Sequence, residues 1–196
     1  GDDQYRDQPG QYRVQSELDG QVIDAVGRQH VKCRVGDVHD AGHPEDQRET
    51  DGQQGLAHFV EHMCFNGTKN FPSNRIINML EEMGVKFGAE LNAYTSFDQT
   101  VYMLKVPTDK EEWINRGFQV LEDWAHQVSM EEDEIDKERN VIVEEWREGL
   151  GAEDRMQTKY IPVILKDSRY AERLPIGKND VIKSFPYDTL RSFYKT

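Results

Sequence analysis

Residues 56–63 constrain the fold of this chain more than any other stretch, because their pattern fits only a helix. Four apolar residues recur at helical spacing and form one face: Leu56, Phe59, Val60 and Met63. At 3.6 residues per turn, His58, Glu61 and His62 fall in a second narrow stripe. Both imidazoles can then reach one metal ion while Glu61 addresses a water molecule on it. The order H-x-x-E-H is the inverse of the H-E-x-x-H zinc motif and predicts a zinc site with its own general base.

Two histidines leave this predicted zinc site short of a third protein ligand, and a carboxylate suits a hydrolytic centre. A predicted acidic helix over residues 130–149 offers several carboxylates. Glu138 and Glu145 are seven residues apart, about two turns, so they share one helix face. One could bind zinc while the other orients a ligand, and a solvated charged face is the alternative. Cys64 points away from the histidine stripe and is expected to be a buried small apolar residue.

The remaining apolar pattern predicts a hairpin and several further helices. Strands over 87–97 and 100–106 form the hairpin, around a turn at 96–99. Further helices run from a Ser73 cap to Gly84, from an Asp109 cap onward, and over 130–149, 156–165 and 188–195. In the helix after Asp109, six apolar side chains are expected to point inward: Trp113, Ile114, Phe118, Leu121, Trp124 and Ala125. The expected fold class is α+β, with helices packed on one face of a mainly antiparallel sheet.

Residues 1–50 differ in composition from the rest of the chain. They contain no Phe, Trp or Met, and Asp, Gln, Arg and Gly dominate them. Weak strands are predicted around residues 22–23 and 31–35, and residues 36–54 are typical of loop or disorder. We therefore expect an atypical polar segment over 1–50, disordered or the product of a shifted reading frame, and a metal-binding domain over 51–196.

Charge and hydropathy exclude some partners. The net charge is −13, and no Lys/Arg run or interleaving of aromatic and basic residues occurs. That balance argues against a nucleic-acid or anionic-membrane partner. No apolar run approaches the roughly 20 residues of a spanning helix, so we expect no membrane span. Asn66-Gly67-Thr68 fits the glycosylation pattern, although a helix end at Gly67 explains it adequately.

Several separated motifs resemble the pitrilysin/insulinase family of inverted-motif zinc peptidases, especially its bacterial members. They are Gly55-Leu56-Ala57-His58-Phe59-Val60-Glu61-His62-Met63, Phe65-Asn66-Gly67-Thr68, Asn92-Ala93-Tyr94-Thr95, the stretch from Glu138 to Glu145, and Pro175-Ile176-Gly177. The resemblance covers about residues 52–196. It implies His58, His62 and Glu145 as ligands of one zinc ion, Glu61 as general base, and Glu138 as a carboxylate that orients a ligand. It also implies that Asn92, Ala93, Tyr94 and Thr95 form an edge strand that binds an extended peptide.

The resemblance also predicts an activity and its partners. It implies a zinc-dependent endopeptidase that hydrolyses peptides or unfolded protein segments, with loose sequence preference because an edge strand recognises backbone. A second homologous half or subunit is expected, which makes 51–196 an incomplete peptidase domain. Likeness to bacterial members favours the periplasm. The alternative is a non-catalytic structural subunit of the same family, although such members typically lose the metal residues.

Overall fold

A four-stranded antiparallel sheet lies at the centre of the fold. The computed structural model describes residues 19–23, 29–35, 49–86, 88, 90–149 and 151–195. The strands are β1 (Asp19–Ile23), β2 (Gln29–Val35), β3 (Leu91–Thr95) and β4 (Thr100–Pro107), in the order β1-β2-β4-β3. Leu91 pairs with Leu104 and Thr95 with Thr100, so β3 and β4 form the predicted hairpin. Among the described residues β3 has a strand partner on one side only.

Seven α-helices lie within the described residues. They are α1 (Leu56–Met63), α2 (Arg75–Glu82), α3 (Glu111–His126), α4 (Glu132–Glu148), α5 (Ala152–Ile164), α6 (Asn179–Ser184) and α7 (Tyr187–Lys195). Short 3-10 helices cover Asp51–Gln53 and Arg169–Glu172. The predicted helices are confirmed, whereas α6 had not been predicted.

Two predicted helix caps are wrong. The N-cap of α2 is Asn74, and Ser73 has a φ of +54°, so the backbone turns just before the helix. The N-cap of α3 is Lys110 in an extended conformation, with no side-chain cap bond. The apolar pattern of a helix does not distinguish between neighbouring residues as its N-cap. Tertiary packing decides where the helix begins. The structure also starts α5 four residues before the predicted position.

The core lies between one face of the sheet and the helices α1 and α3. Tyr102, Leu104 and Val106 of β4 are buried on this face. The thiol of Cys64, just after α1, is buried as expected and lies 3.4 Å from the Tyr102 hydroxyl. The Tyr102 ring lies 5.4 Å from the Trp124 ring of α3. Helices on one face of an antiparallel sheet give the predicted α+β class.

Phe118 does not point inward as predicted. Its neighbour Gly117 is the residue of α3 that approaches the sheet, where an added Cβ would come within 3.1 Å of Val106. One residue further round the helix, Phe118 is turned away from that contact and is 50% exposed.

Two of the four strands come from the polar N-terminal segment. β2 pairs with β4 from His30↔Pro107 to Val35↔Tyr102, so the weak strands predicted near 22–23 and 31–35 are present. The sheet therefore extends across the predicted boundary at residue 50. The other residues before 49 lie outside the described residues, and the proposal of a separate segment over 1–50 stays a prediction. No helix in the described ranges is long and apolar enough to span a membrane.

Candidate metal centre

The helix that carries the histidines is held at its N-terminus by a carboxylate. Glu49 Oε1 accepts hydrogen bonds from the backbone N–H of Gly55, at 3.0 Å, and of Ala57, at 2.9 Å. Burial raises the pKa of Glu49, although these backbone bonds and the nearby Arg173 oppose it. An anion at this end satisfies two of the free N–H groups of α1 and complements the helix dipole. The position of His58 in the first turn is fixed as a result.

A close backbone approach supports the same end of α1. Gly177 has a φ of +78°, and a Cβ there would lie 2.5 Å from the Gln54 carbonyl oxygen and 2.7 Å from the Gly55 nitrogen. The following residue, Lys178, donates its N–H to the same Gln54 oxygen at 3.3 Å. Only glycine fits this contact, which accounts for the Pro175-Ile176-Gly177 motif in structural terms.

Three predicted ligands converge in front of α1. His58 Nε2 lies 3.2 Å from His62 Nε2, and Glu145 Oε2 of α4 lies 3.7 Å and 3.5 Å from these two nitrogens. These residues are a cluster that could hold a metal ion, with all three ligand atoms within 4.8 Å of one another. Since α1 and α4 are far apart in sequence, the packing of the two helices creates the site.

The three donors fit zinc in type and in spacing. Two imidazole nitrogens and one carboxylate oxygen are a common ligand set for catalytic zinc. Zinc bonds of about 2.0–2.2 Å to these atoms, in tetrahedral geometry, place any two donors about 3.3–3.6 Å apart. The measured separations of 3.2, 3.5 and 3.7 Å are close to that range.

The protonation state of His58 also suits a cation. Burial, with a smaller effect from the neighbouring His62, lowers the pKa of His58 to about 4, so its ring is neutral near pH 7. Burial lowers the pKa of His62 too, but the hydrogen bond and charge of Glu138 outweigh burial and raise it overall. A cation between two facing ring nitrogens would favour the neutral form of both, because each then offers a lone pair.

Glu138 contacts the other ring nitrogen of His62, Nδ1, and so orients the ring. Its Oε1 lies 2.7 Å from His62 Nδ1, and its Oε2 accepts a 2.5 Å hydrogen bond from Asn66 Nδ2. Burial raises the pKa of Glu138, yet these two bonds together with the charges of His62 and His58 lower it overall. An ionised carboxylate at Nδ1 fixes the N–H there and leaves Nε2 free to face the other donors.

Glu61 lies beside the three donors and contacts the hairpin. The hydroxyl of Thr95, at the end of β3, donates a 2.5 Å hydrogen bond to Glu61 Oε2. Burial raises the pKa of Glu61 in spite of this bond, and the nearby Glu145 raises it further. A carboxylate whose pKa is raised toward neutrality is a better proton acceptor and donor near pH 7.

The four residues predicted to bind peptide lie on β3. Asn92 and Tyr94 are exposed, whereas Ala93 and Thr95 are half-buried, so the side chains alternate across the strand. Since Thr95 contacts Glu61, the strand runs directly to the metal centre.

Comparison with known proteins identifies the family. A model of the insulinase family, peptidase family M16, matches residues 27–169. The chain belongs to this family. The probable zinc protease PqqL of Escherichia coli K12 is 36% identical to this M16 chain. The match covers 91% of this chain and 21% of the relative. The probable zinc protease PqqL of Haemophilus influenzae is 40% identical over 74% of the chain and 16% of the relative. The chain thus spans about a fifth of the length of these relatives.

A solved structure agrees with the M16 fold. The first half of the periplasmic protease PqqL from Escherichia coli superimposes with a TM-score of 0.76, at 38% identity, over 84% of this chain and 34% of that chain. The match confirms the predicted pitrilysin/insulinase-like fold class.

Three features that hold the metal centre in place are not predicted by the sequence: Glu49, Asn66 and the contact between Thr95 and Glu61. The sequence places Asn66 in an N-G-T pattern and in a family motif without a role at the metal centre, and Glu49 in a loop. An acidic residue a few positions before a helix was the available signal for Glu49. The Thr95 contact depends on how the hairpin packs against α1, and residue spacing carries no signal for it.

Proposed function

We propose that this chain carries the metal centre of a zinc-dependent endopeptidase that hydrolyses peptides or unfolded protein segments. The main support is the convergence of His58, His62 and Glu145 at tetrahedral donor spacing, with Glu61 close enough to interact electrostatically with His62 and Glu145. Zinc bound there would supply a Lewis acid that polarises the scissile carbonyl and lowers the pKa of a water molecule. The residues around it have separate tasks.

Glu61 is the proposed general base. It takes a proton from the attacking water and later gives it to the leaving amine, so it needs a pKa near the working pH and a fixed position. Burial supplies the raised pKa, and the bond from Thr95 supplies the fixed position. Glu138 keeps the lone pair of His62 directed at the centre.

β3 is the proposed peptide-binding strand. Its open edge, among the described residues, offers backbone groups to which an extended substrate can add as a further strand. Main-chain recognition gives affinity for unfolded segments with little dependence on sequence. Because β3 ends at Thr95, a peptide on it would pass Glu61.

A second homologous half or subunit is the proposed partner that completes the site. The relatives are about five times as long as the part that this chain spans. The Escherichia coli relative is described as periplasmic, and we propose the same compartment for this chain.

The metal centre is tested by zinc content. After exposure to zinc and removal of excess, we expect about one zinc per chain in the wild type and a loss of bound zinc in Glu145→Gln. The matched control is Glu144→Gln, because Glu144 is on the same helix but pairs with Arg147 at the surface. If the wild type binds no zinc, or if both variants bind equally, the assigned ligands are wrong.

The reaction is tested with a quenched-fluorescent unstructured peptide and the full product of the gene. We expect Glu61→Gln to keep its zinc and to lower kcat/KM by about 10²–10⁴-fold, as loss of a general base does. Cleavage that survives Glu61→Gln unchanged would refute the role of Glu61. Zinc without any cleavage by the wild type would favour the non-catalytic subunit.

A further inference from the structure

A cavity of about 430 Å³ opens beside the metal centre. Two segments supply most of its wall: the turn after β3 and residues 169–175, which follow α5. The side chains that the argument uses are Phe97, Asp98, Tyr170, Arg173, Leu174 and Pro175. We call this space the hairpin cavity. It has no role in the chemistry proposed for Glu61.

The hairpin cavity is continuous with the proposed active site. Thr95 lines it, and the hydroxyl of the same residue holds Glu61. Ala57 also lines it and directly precedes His58 in α1. A strand advances about 3.3 Å per residue, and the turn begins one residue beyond Thr95. A peptide that extends past Glu61 along β3 would therefore reach the cavity within about three residues of the bond that is cleaved.

Apolar surface faces this space, and three polar side chains in its wall, Asp98, Tyr170 and Arg173, already have partners. The rings of Phe97 and Tyr170 meet edge to face at 5.4 Å, and each residue is about 40% exposed. Leu174 and Pro175 extend the apolar wall. The Tyr170 hydroxyl donates a 2.5 Å hydrogen bond to Asp98 Oδ1.

Arg173 is committed to the support of α1. Its guanidinium pairs with Asp51 at 2.6 Å and donates to the backbone carbonyl of Glu49. Of the positive charges in the wall, Arg169 is exposed at the surface and makes no ion pair with another described residue. An acidic ligand could therefore pair only with Arg169 at the rim. An apolar ligand could contact two rings and two aliphatic side chains.

We propose that the hairpin cavity receives an aromatic or large aliphatic side chain of the substrate, within three residues of the scissile bond. The proposal rests on the peptidase function proposed above and gives it a side-chain preference. The volume is within the range of about 300–1,000 Å³ for ligand pockets, ample for one aromatic side chain. Phe97 and Tyr170 offer it ring edges and faces in the arrangement that aromatic groups prefer.

The test uses peptides that differ at one residue, with the full product of the gene. Ala, Leu, Phe or Glu is placed in turn at each of three positions on either side of the cleaved bond, and kcat/KM is measured. At one position we expect Phe to exceed Ala by about 10-fold or more, as pocket contacts allow. The same peptides, bound to the Glu61→Gln variant and followed by fluorescence anisotropy, should show the same order in Kd without any cleavage.

Substitution of one residue in the cavity wall then tests whether the preference for Phe arises in the cavity. Phe97→Ala should reduce the Phe-to-Ala ratio about 3–10-fold, the usual contribution of one aromatic pair. Phe118→Ala removes an exposed ring from α3 that does not line the cavity, and should leave that ratio as in the wild type. Circular dichroism and zinc content show that both variants are folded.

Three results would overturn the proposal. No preference for Phe or Leu at any position is one, and a preference that Phe97→Ala does not alter is another. The third is a preference for Glu that Arg169→Ala removes, which would make the cavity a site for acidic side chains. Each of these presupposes cleavage that depends on Glu61, so failure of the cavity proposal is distinct from failure of the peptidase proposal.

Discussion

Gly177 provides the sharpest test of how the metal helix is supported. In Gly177→Ala, the new Cβ would lie 2.5 Å from the Gln54 carbonyl oxygen and 2.7 Å from the Gly55 nitrogen. Both are backbone atoms, so no side chain can rotate away. The φ of +78° adds a left-handed backbone conformation, which costs a residue with a Cβ roughly 1–2 kcal/mol. Forced overpacking adds about 1–3 kcal/mol.

We therefore expect Gly177→Ala to lower the free energy of unfolding by about 2–5 kcal/mol. Urea unfolding followed by circular dichroism measures this change. The displaced backbone is that of Gly55, at the start of α1, so the distance from His58 to Glu145 should change and zinc affinity should fall. Zinc affinity is measured by competition with a chromogenic chelator.

Gly52→Ala is the matched control. A Cβ at Gly52 meets no atom within 4 Å, and the residue has no positive φ. Its free energy of unfolding should stay within about 0.5 kcal/mol of the wild type. If Gly177→Ala is equally neutral in both stability and zinc affinity, the close approach of residue 177 to α1 does not exist as described.

Three further perturbations test the surroundings of the site. Glu138→Ala removes the acceptor at His62 Nδ1, so zinc affinity should fall about 10–100-fold in chelator competition. Asp123→Ala leaves the buried hydroxyl of Thr68 and the side-chain amide of Asn70 without their acceptor, and urea unfolding should show a loss of about 1–3 kcal/mol. Burial raises the pKa of Cys64 to about 12, so only about one thiol in 10⁴ is ionised at pH 8. In a Cys33→Ser background, alkylation of this thiol should require unfolding.

Each of these has a control and a contrary outcome. Glu134→Ala removes a surface carboxylate that pairs with Lys137 on the same helix, and it should not alter zinc affinity. Glu122→Ala removes the exposed neighbour of Asp123 and should leave stability nearly unchanged. Equal effects in either pair would refute the assigned contact. Alkylation of the folded chain as fast as of the unfolded chain would show that Cys64 is not buried.

The metal helix and the acidic helix could be predicted because their information is local. The 3.6-residue period of residues 56–63 separates a core face from a histidine face, and α1 has both. The spacing of Glu138 and Glu145 placed both on one face of α4. It did not say which of them lies with the histidines and which lies behind His62. That choice came from the family resemblance, since it depends on how far α4 is shifted along α1.

The supports of the site depend on contacts between distant residues, which spacing does not encode. Asn66 and Glu138 are 72 residues apart, Thr95 and Glu61 are 34 apart, and Arg173 reaches Glu49 over 124. The same physics explains Phe118: the pattern placed it inward, but Gly117 makes the close approach to β4. A helical period identifies the face of a residue only to within the width of that face. The element that packs against the helix then determines whether a residue at the edge of the face is buried.

The roles proposed for the two acidic residues of α4 agree with their burial and contacts. Glu138 has a side chain only 12% exposed and two hydrogen bonds, so its charge is held in one direction. The side chain of Glu145 is 48% exposed, and its oxygen faces both ring nitrogens at 3.5–3.7 Å. Two hydrogen bonds suit a residue that orients a ligand, whereas an oxygen that faces two ring nitrogens suits a ligand of the ion. The burial and contacts of these two carboxylates therefore agree with the separate roles proposed for them.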